Sequence, residues 1–269
     1  MKKTIILLVV LVLAGCQTVL EDVTVPAAEV KAVVFYSANN FGGFANPLLL
    51  TKTKPVLNSS VAGDFEKIEN AVISLTGNGQ EVNFINMNND YVLNNRNFRF
   101  SAGIEYSLSI VTPENGTVSG KSSMPDSISE YRLEVDSIDQ PFDVIFNGRL
   151  SIPDNPTKDE YYRIEAFSRY DGSDEVMYVD GEYFSDENAA NGSVNTRFTT
   201  RSWDDKNGKR PEVYVILSAI TKDHYEYGKA LENYDPENPF SEPTPLPNNV
   251  EGGLGIFTLS NSQIIRIKQ

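Results

Sequence analysis

His224 is the only imidazole in the 269-residue chain and Cys16 the only thiol. That scarcity bounds the chemistry. Acyl transfer needs a nucleophile, a base and a group that orients the base, yet no serine lies in a nucleophile-elbow pattern, so no triad is offered. His224 reads instead as an ordinary residue on the polar or flanking side of a helix. A zinc centre would have to be built from carboxylates alone. Oxygen ligands are more plentiful: "RYDGSDEVMYVDGEYFSDENAANGS" holds Asp171, Asp174, Glu175, Asp180, Glu182, Asp186 and Glu187, and "WDDKNGK" adds Asp204 and Asp205. Such clusters could suit calcium. Their spacing misses the EF-hand positions, and solvated acidic loops are the commoner meaning of a charge run. Nothing singles out one carboxylate pair for glycoside hydrolysis. The expectation is a protein that is not an enzyme, with no metal and no cofactor.

The nearest thing to a nucleotide motif is "NNVEGGLGIFTL", residues 248 to 259. A phosphate-binding glycine loop passes from a strand into a helix N-terminus, where free amides meet the anion. Here Gly252, Gly253 and Gly255 lead into an apolar, strand-like run, and no Lys-Ser or Lys-Thr follows. The segment is expected to be a turn or bulge that sets the register of a late strand.

Cys16 carries the one motif with strong context. Lys2 and Lys3 precede the apolar stretch "TIILLVVLVLA", which ends in small residues before the cysteine. Residues 1 to 15 therefore read as a signal peptide. "LAGC" reads as a bacterial lipobox, with Cys16 acylated by chains such as palmitate and residues 16 to 24 as the tether. No intrachain disulfide can form from one cysteine. The formal net charge is −14, and without the leader 21 basic side chains face 37 acidic ones. Nucleic acid is then a poor partner, because phosphate binding needs clustered Lys and Arg. Membrane attachment is expected through the lipid anchor rather than through charge.

Behind these residues lies a chain with a period of two. "VKAVVFYSA", "NAVISLTG", "EVNFINM", "FRFSAG", "EYSLSIVT", "YRLEVDSI", "FDVIFNGRLSI", "YYRIEAFSRY", "VMYVDGEYF", "VNTRFTTRS", "EVYVILSAI", "GIFTLS" and "QIIRIK" are rich in β-branched and aromatic residues and are separated by Gly, Asn, Asp and Pro. An all-β protein follows, with two β-sandwich, immunoglobulin-like units. The first spans 25–122 and the second 130–269. One helix is expected over 221–234, capped by Thr221, with Asp223 in its first turn and Tyr227, Leu231 and Tyr234 on its apolar face. The proline-rich "DPENPFSEPTPLP" after it should be extended.

Aromatic residues in strand patterns, Phe35, Phe84, Phe100, Tyr106, Phe146, Tyr214 and Phe257, are expected in the core or in cross-strand pairs. Trp203, Tyr225, Tyr234 and Phe240 fall outside those patterns and are the candidates for a partner surface.

The chain resembles a family of Bacteroidetes lipoproteins of unknown function, typically encoded beside TonB-dependent outer-membrane receptors. The matching residues are "IENAVISL" (68 to 75), "FRFSAGIEYSLSI", "YYRIEAF" (161 to 167), "DHYEYGKAL" (223 to 231) and above all "PNNVEGGLGIF" (247 to 257). The resemblance implies a lipid-anchored protein of the outer membrane, on its surface or periplasmic face, that serves a TonB-dependent receptor as an accessory or presents a ligand to it. The competing expectations are a hydrolase or a carbohydrate- or peptide-binding surface protein, and a structural envelope lipoprotein.

Overall fold

A period of two places every second side chain on one face, so each alternating run can bury one side and leave the other free. The computed structural model of the chain describes residues 30–41, 46–54, 65–114, 116–170, 176–203, 211–234 and 245–267. Cys16 and its leader, Phe240 with most of the proline-rich stretch, Asp171, Asp174, Glu175, Asp204 and Asp205 lie outside them. In chain order the strands are β1 (Ala32–Asn39), β2 (Leu49–Lys52), β3 (Val72–Gly77), β4 (Gln80–Met87), β5 (Asp90–Leu93), β6 (Glu105–Thr112), β7 (Gly116–Ser123), β8 (Arg132–Asp139), β9 (Asp143–Pro153), β10 (Tyr161–Arg169), β11 (Val176–Ser185), β12 (Ser193–Trp203) and β13 (Glu212–Ile220). The helix α1 (Lys222–Glu232) follows, then β14 (Val250–Glu251) and β15 (Leu254–Ile267). The protein is all-β with one α-helix among the described residues.

Three sheets make two cores. A six-stranded sheet runs β11-β10-β13-β15-β1-β2, a second six-stranded sheet runs β14-β7-β6-β3-β4-β5, and a three-stranded sheet runs β12-β9-β8. The first core lies between the second sheet and the β15-β1-β2 end of the first, filled by Val34, Tyr36, Leu75, Leu108, Ile110 and Phe257 among others. The second core lies between the three-stranded sheet and β10, β13 and the end of β15, filled by Phe146, Leu150, Tyr162, Ile164, Val215 and Leu217.

β15 belongs to both. Its first half pairs in parallel with β1, from Val33 opposite Leu254 to Asn39 opposite Ser260. Its second half pairs antiparallel with β13, from Ile220 opposite Ser260 to Val213 opposite Ile267. Phe257 and Leu259 enter the first core, and Ile265 and Ile267 reach the second, all odd positions on one face. Between them the same face carries amides. Asn261 Nδ2 donates to the carbonyl of Pro125 at 3.0 Å and Gln263 Nε2 to that of Ile128 at 3.3 Å. Those carbonyls lie in the strand-free connection between β7 and β8, close to the division expected at 122–130. The chain passes there from the first core to the second, but β14 and the first half of β15 return to the first.

Several expectations about elements are corrected. "FRFSAG" is not a strand; Phe98 and Phe100 pack edge-on against Tyr106, with Phe100 and Tyr106 centroids 5.0 Å apart. "GIFTLS" and "QIIRIK" are one strand, because the polar Ser260, Asn261 and Ser262 between them pair rather than turn. The glycine- and serine-rich β7 and the short β2, β5 and β14 carry too little alternation to be read. Between β4 and β5, Asn88 and Asn89 both adopt left-handed φ (55° and 68°), as a tight two-residue hairpin turn requires.

Candidate functional site

α1 forms where the sequence places a cap: the Thr221 side chain accepts from the His224 amide at 3.3 Å, and Asp223 stands in the first turn. It lies on the face of the first sheet turned away from both cores. Phe35 of β1 meets Tyr227 (centroids 6.1 Å apart), and Tyr161 of β10 meets Tyr225 at 5.1 Å. The buried positions of the helix are Gly228 and Ala230, while Leu231 and Tyr234 are exposed. The apolar face expected through Tyr227, Leu231 and Tyr234 is therefore rotated. Gly228 explains the rotation, since a Cβ there would strike the ring of Tyr183, so only glycine lets α1 come down onto β11. Phe35 is an outer-face residue rather than a core one, whereas Tyr214, also on the outer face, makes the expected kind of cross-strand pair by stacking on Phe167 of β10 with centroids 5.1 Å apart.

Beneath the first turn of α1, the outer face of the sheet turns polar and lines a partly open chamber of about 190 Å³. β10 supplies Arg163 and Glu165, β13 supplies Ser218, β15 supplies Ser260 and Ser262, β1 supplies Ser37, and α1 supplies His224. Arg163 Nη2 and Glu165 Oε1 pair at 2.8 Å, and the guanidinium lies over the Tyr183 ring, 5.0 Å from its centroid. The hydroxyls of Ser218 and Ser262 are 2.7 Å apart. Where β1 and β15 part, Asn40 continues their ladder through its side chain, accepting from the Ser262 amide at 2.8 Å and donating to its carbonyl at 3.0 Å.

Two polar atoms here are shut off from water with no partner among the described residues: Arg163 Nε and His224 Nδ1. His224 thus points toward the sheet, a correction to its expected place on a flanking side of the helix. Burial, with the Arg163 charge adding to it, holds its pKa down to about 4, so the imidazole is neutral. Burial pushes the Glu165 carboxyl up, only partly countered by Arg163. Perturbed groups converging on a partly open chamber make it a candidate functional site. Among the described residues His224 Nδ1 has no hydrogen-bond partner, serine hydroxyls included.

The other candidates fare differently. The glycine loop runs into β15 and not into a helix. Gly252 and Gly255 have φ of 75° and 119°, and a Cβ on Gly255 would collide with the Val34 carbonyl oxygen across the parallel ladder. Asn249 completes the motif by accepting from the Phe257 amide at 2.8 Å and donating to its carbonyl at 2.7 Å, while also donating to Asp223 of α1 at 2.8 Å. "PNNVEGGLGIF" is thus a clasp joining the helix to the first core. Among the described residues no cluster of three or more His, Cys, Asp or Glu could hold a metal ion. Asp186 is occupied structurally, accepting from the Glu160 amide at 2.8 Å. A second, apolar cavity of about 590 Å³ lies at the connection between the cores, lined by Met124, Pro125, Ile128, Ile152, Tyr162 and Ala219.

Of the aromatic residues offered as a partner surface, Tyr225 and Trp203 lie apart, and Phe240 is outside the described residues. Tyr225 packs on Tyr161, the first residue of β10, whereas the carbonyl of Trp203 accepts from Tyr170, just past the last. Nine strand residues, roughly 25 to 30 Å, separate the two. Tyr234 and Trp203 are exposed. Missed altogether were Arg163, Glu165, Ser37, Ser218 and Ser262, whose outward positions look in sequence like any solvated strand face.

The chain matches the family described as Domain of unknown function (DUF4249) over residues 24–266, and it belongs to that family. No curated protein matches it. Among solved structures, that of trypsin-activated alpha-2-macroglobulin from Escherichia coli is similar at 11% identity and a TM-score of 0.20, covering 74% of this chain. The chain spans 15% of that protein.

Proposed function

We propose that this member of the DUF4249 family is a lipid-anchored protein of a Bacteroidetes outer membrane that holds a small ligand without transforming it, as an accessory to a TonB-dependent receptor. The lipobox at Cys16 supports the anchor, and the resemblance stated for "YYRIEAF" and "PNNVEGGLGIF" supports the setting. The observation that carries the binding role is the chamber under α1, where Arg163 Nε and His224 Nδ1 are buried without partners among the described residues. Unspent hydrogen-bonding capacity in a partly open chamber favours a ligand that supplies the missing partners. Among the described residues no helix is long and apolar enough to cross a membrane.

Two measurements test it. Fatty-acid labelling should mark the wild-type protein and not Cys16→Ala, which should leave the membrane fraction. Crosslinking in intact cells followed by mild detergent extraction should recover a TonB-dependent receptor. Label retained by Cys16→Ala removes the anchor, and a wild-type protein that crosslinks to no receptor removes the accessory role.

A further inference from the structure

We propose that the chamber under α1 binds a neutral, polyhydroxylated molecule the size of one sugar ring, an inference that rests on the ligand-holding role above. Its volume of about 190 Å³ would take about six waters at liquid density, which is also the room one such ring needs.

The charges select a neutral occupant. Arg163 and Glu165 already meet at 2.8 Å, and the third ionisable group, His224, is uncharged. An added anion would sit beside the Glu165 carboxylate, and an added cation beside the Arg163 guanidinium, in a space that is only partly solvated, since those side chains are 20% and 30% exposed. Either would bring a like charge against a half-buried pair that is already satisfied, which is unfavourable. An apolar occupant is equally unsuited, because it would displace water from the serine hydroxyls and offer Arg163 Nε and His224 Nδ1 no partner.

The remaining capacity matches hydroxyl groups. Arg163 Nε can only donate, whereas a neutral imidazole nitrogen takes either role according to its tautomer, and serine hydroxyls do both. A molecule carrying several hydroxyls, each donor and acceptor at once, can meet such a mixed set from one ring. The elements that bring these groups together are distant in sequence, with β1 and β15 more than two hundred residues apart, and the chamber exists only once α1 has docked.

The whole chain, purified in mild detergent, is titrated calorimetrically with D-glucose, D-galactose, D-mannose and D-xylose, and with acetate, ethylammonium and glycine as charged probes. At least one sugar should bind at one site per chain, tighter than about 1 mM, with every charged probe weaker. Ser37→Leu, which fills the chamber, and the double variant Arg163→Met/Glu165→Leu, which removes both members of the ion pair together, should each weaken that sugar at least about tenfold. Melting curves establish that the variants are folded, and either one suffices if the other is not. Failure of all four sugars, tighter binding of a charged probe, or unchanged sugar affinity in a folded variant overturns the proposal. Receptor crosslinking is scored separately on the same preparations. Sugar binding without a receptor keeps the ligand class and drops the accessory role, and a receptor without sugar binding does the reverse.

Discussion

His224 has no counterpart in the chain, and its fold environment makes it a gauge of acidity. Because its folded pKa is held near 4, below the ordinary value of about 6.5, the unfolded chain takes up a proton that the folded one refuses. The neutral form's contribution is fully present above about pH 6.5 and is lost as pH falls toward 4. The groups facing it are Arg163 and Glu165 on β10 and Tyr183 on β11. Of these Glu165 acts in the opposite sense, since its raised pKa makes the folded state hold a proton more readily. Urea unfolding from pH 7 to pH 4 should therefore show a decline that is shallower in His224→Gln; superimposable profiles would mean the imidazole is not held neutral. Tyr36 offers a second test. Its hydroxyl is buried in the first core with no partner among the described residues, while its ring stacks on Phe257 with centroids 5.6 Å apart. Tyr36→Phe keeps the ring and removes the orphan, so stability should rise by about 1 kcal/mol. Gly253→Val, which brings a side chain against the Ala32 carbonyl and Val118, should instead lower it by about 1–3 kcal/mol.

At the scale of elements, sequence reasoning succeeded where an element announces itself locally. β9 and β10 alternate cleanly, with every second residue buried, and α1 carries its own cap. It failed where meaning depends on what lies across the sheet. Arg163, Glu165 and Phe167 occupy the outward positions of β10, which alternation assigns to solvent. Only a helix some sixty residues later turns Arg163 and Glu165 into the wall of a chamber. The serines of β15 looked like a break for the same reason. The turn of α1 could not be read either, because Gly228 and Tyr183 set it and neither is apolar in the manner of a helical stripe. The clasp gives a direct check on how α1 is held. Asn249→Ala removes two hydrogen bonds to the backbone of Phe257 and one to Asp223. It should lower stability by about 2–4 kcal/mol, and amide exchange should quicken in α1 as well as in β15. Tyr234→Ala, at an exposed position, should leave the melting temperature unchanged within about 2 °C.

For the molecule as a whole, the shared strand decides how the two cores behave. The first core draws Val250, Phe257 and Leu259 from the C-terminal end of the chain, so residues 25–122 expressed alone should lack a wall of their sandwich. That fragment is expected to show no cooperative melting transition, and the intact chain a single one; two separated transitions would mean the cores are independent. Acidic side chains outnumber basic ones, 37 to 23, in the chain. The ion pairs that relieve this excess, such as Lys52 with Glu66 and Glu114, involve largely exposed carboxylates and add little to stability in water. The parallel union of the first and last strands has a mechanical consequence. Tension between the N-terminal side of β1 and the C-terminal side of β15 would load their seven register pairs along the strand direction, so that the ladder must slide as a block instead of opening rung by rung. A tether pulling on the chain ahead of β1 would meet the molecule in its most shear-resistant geometry.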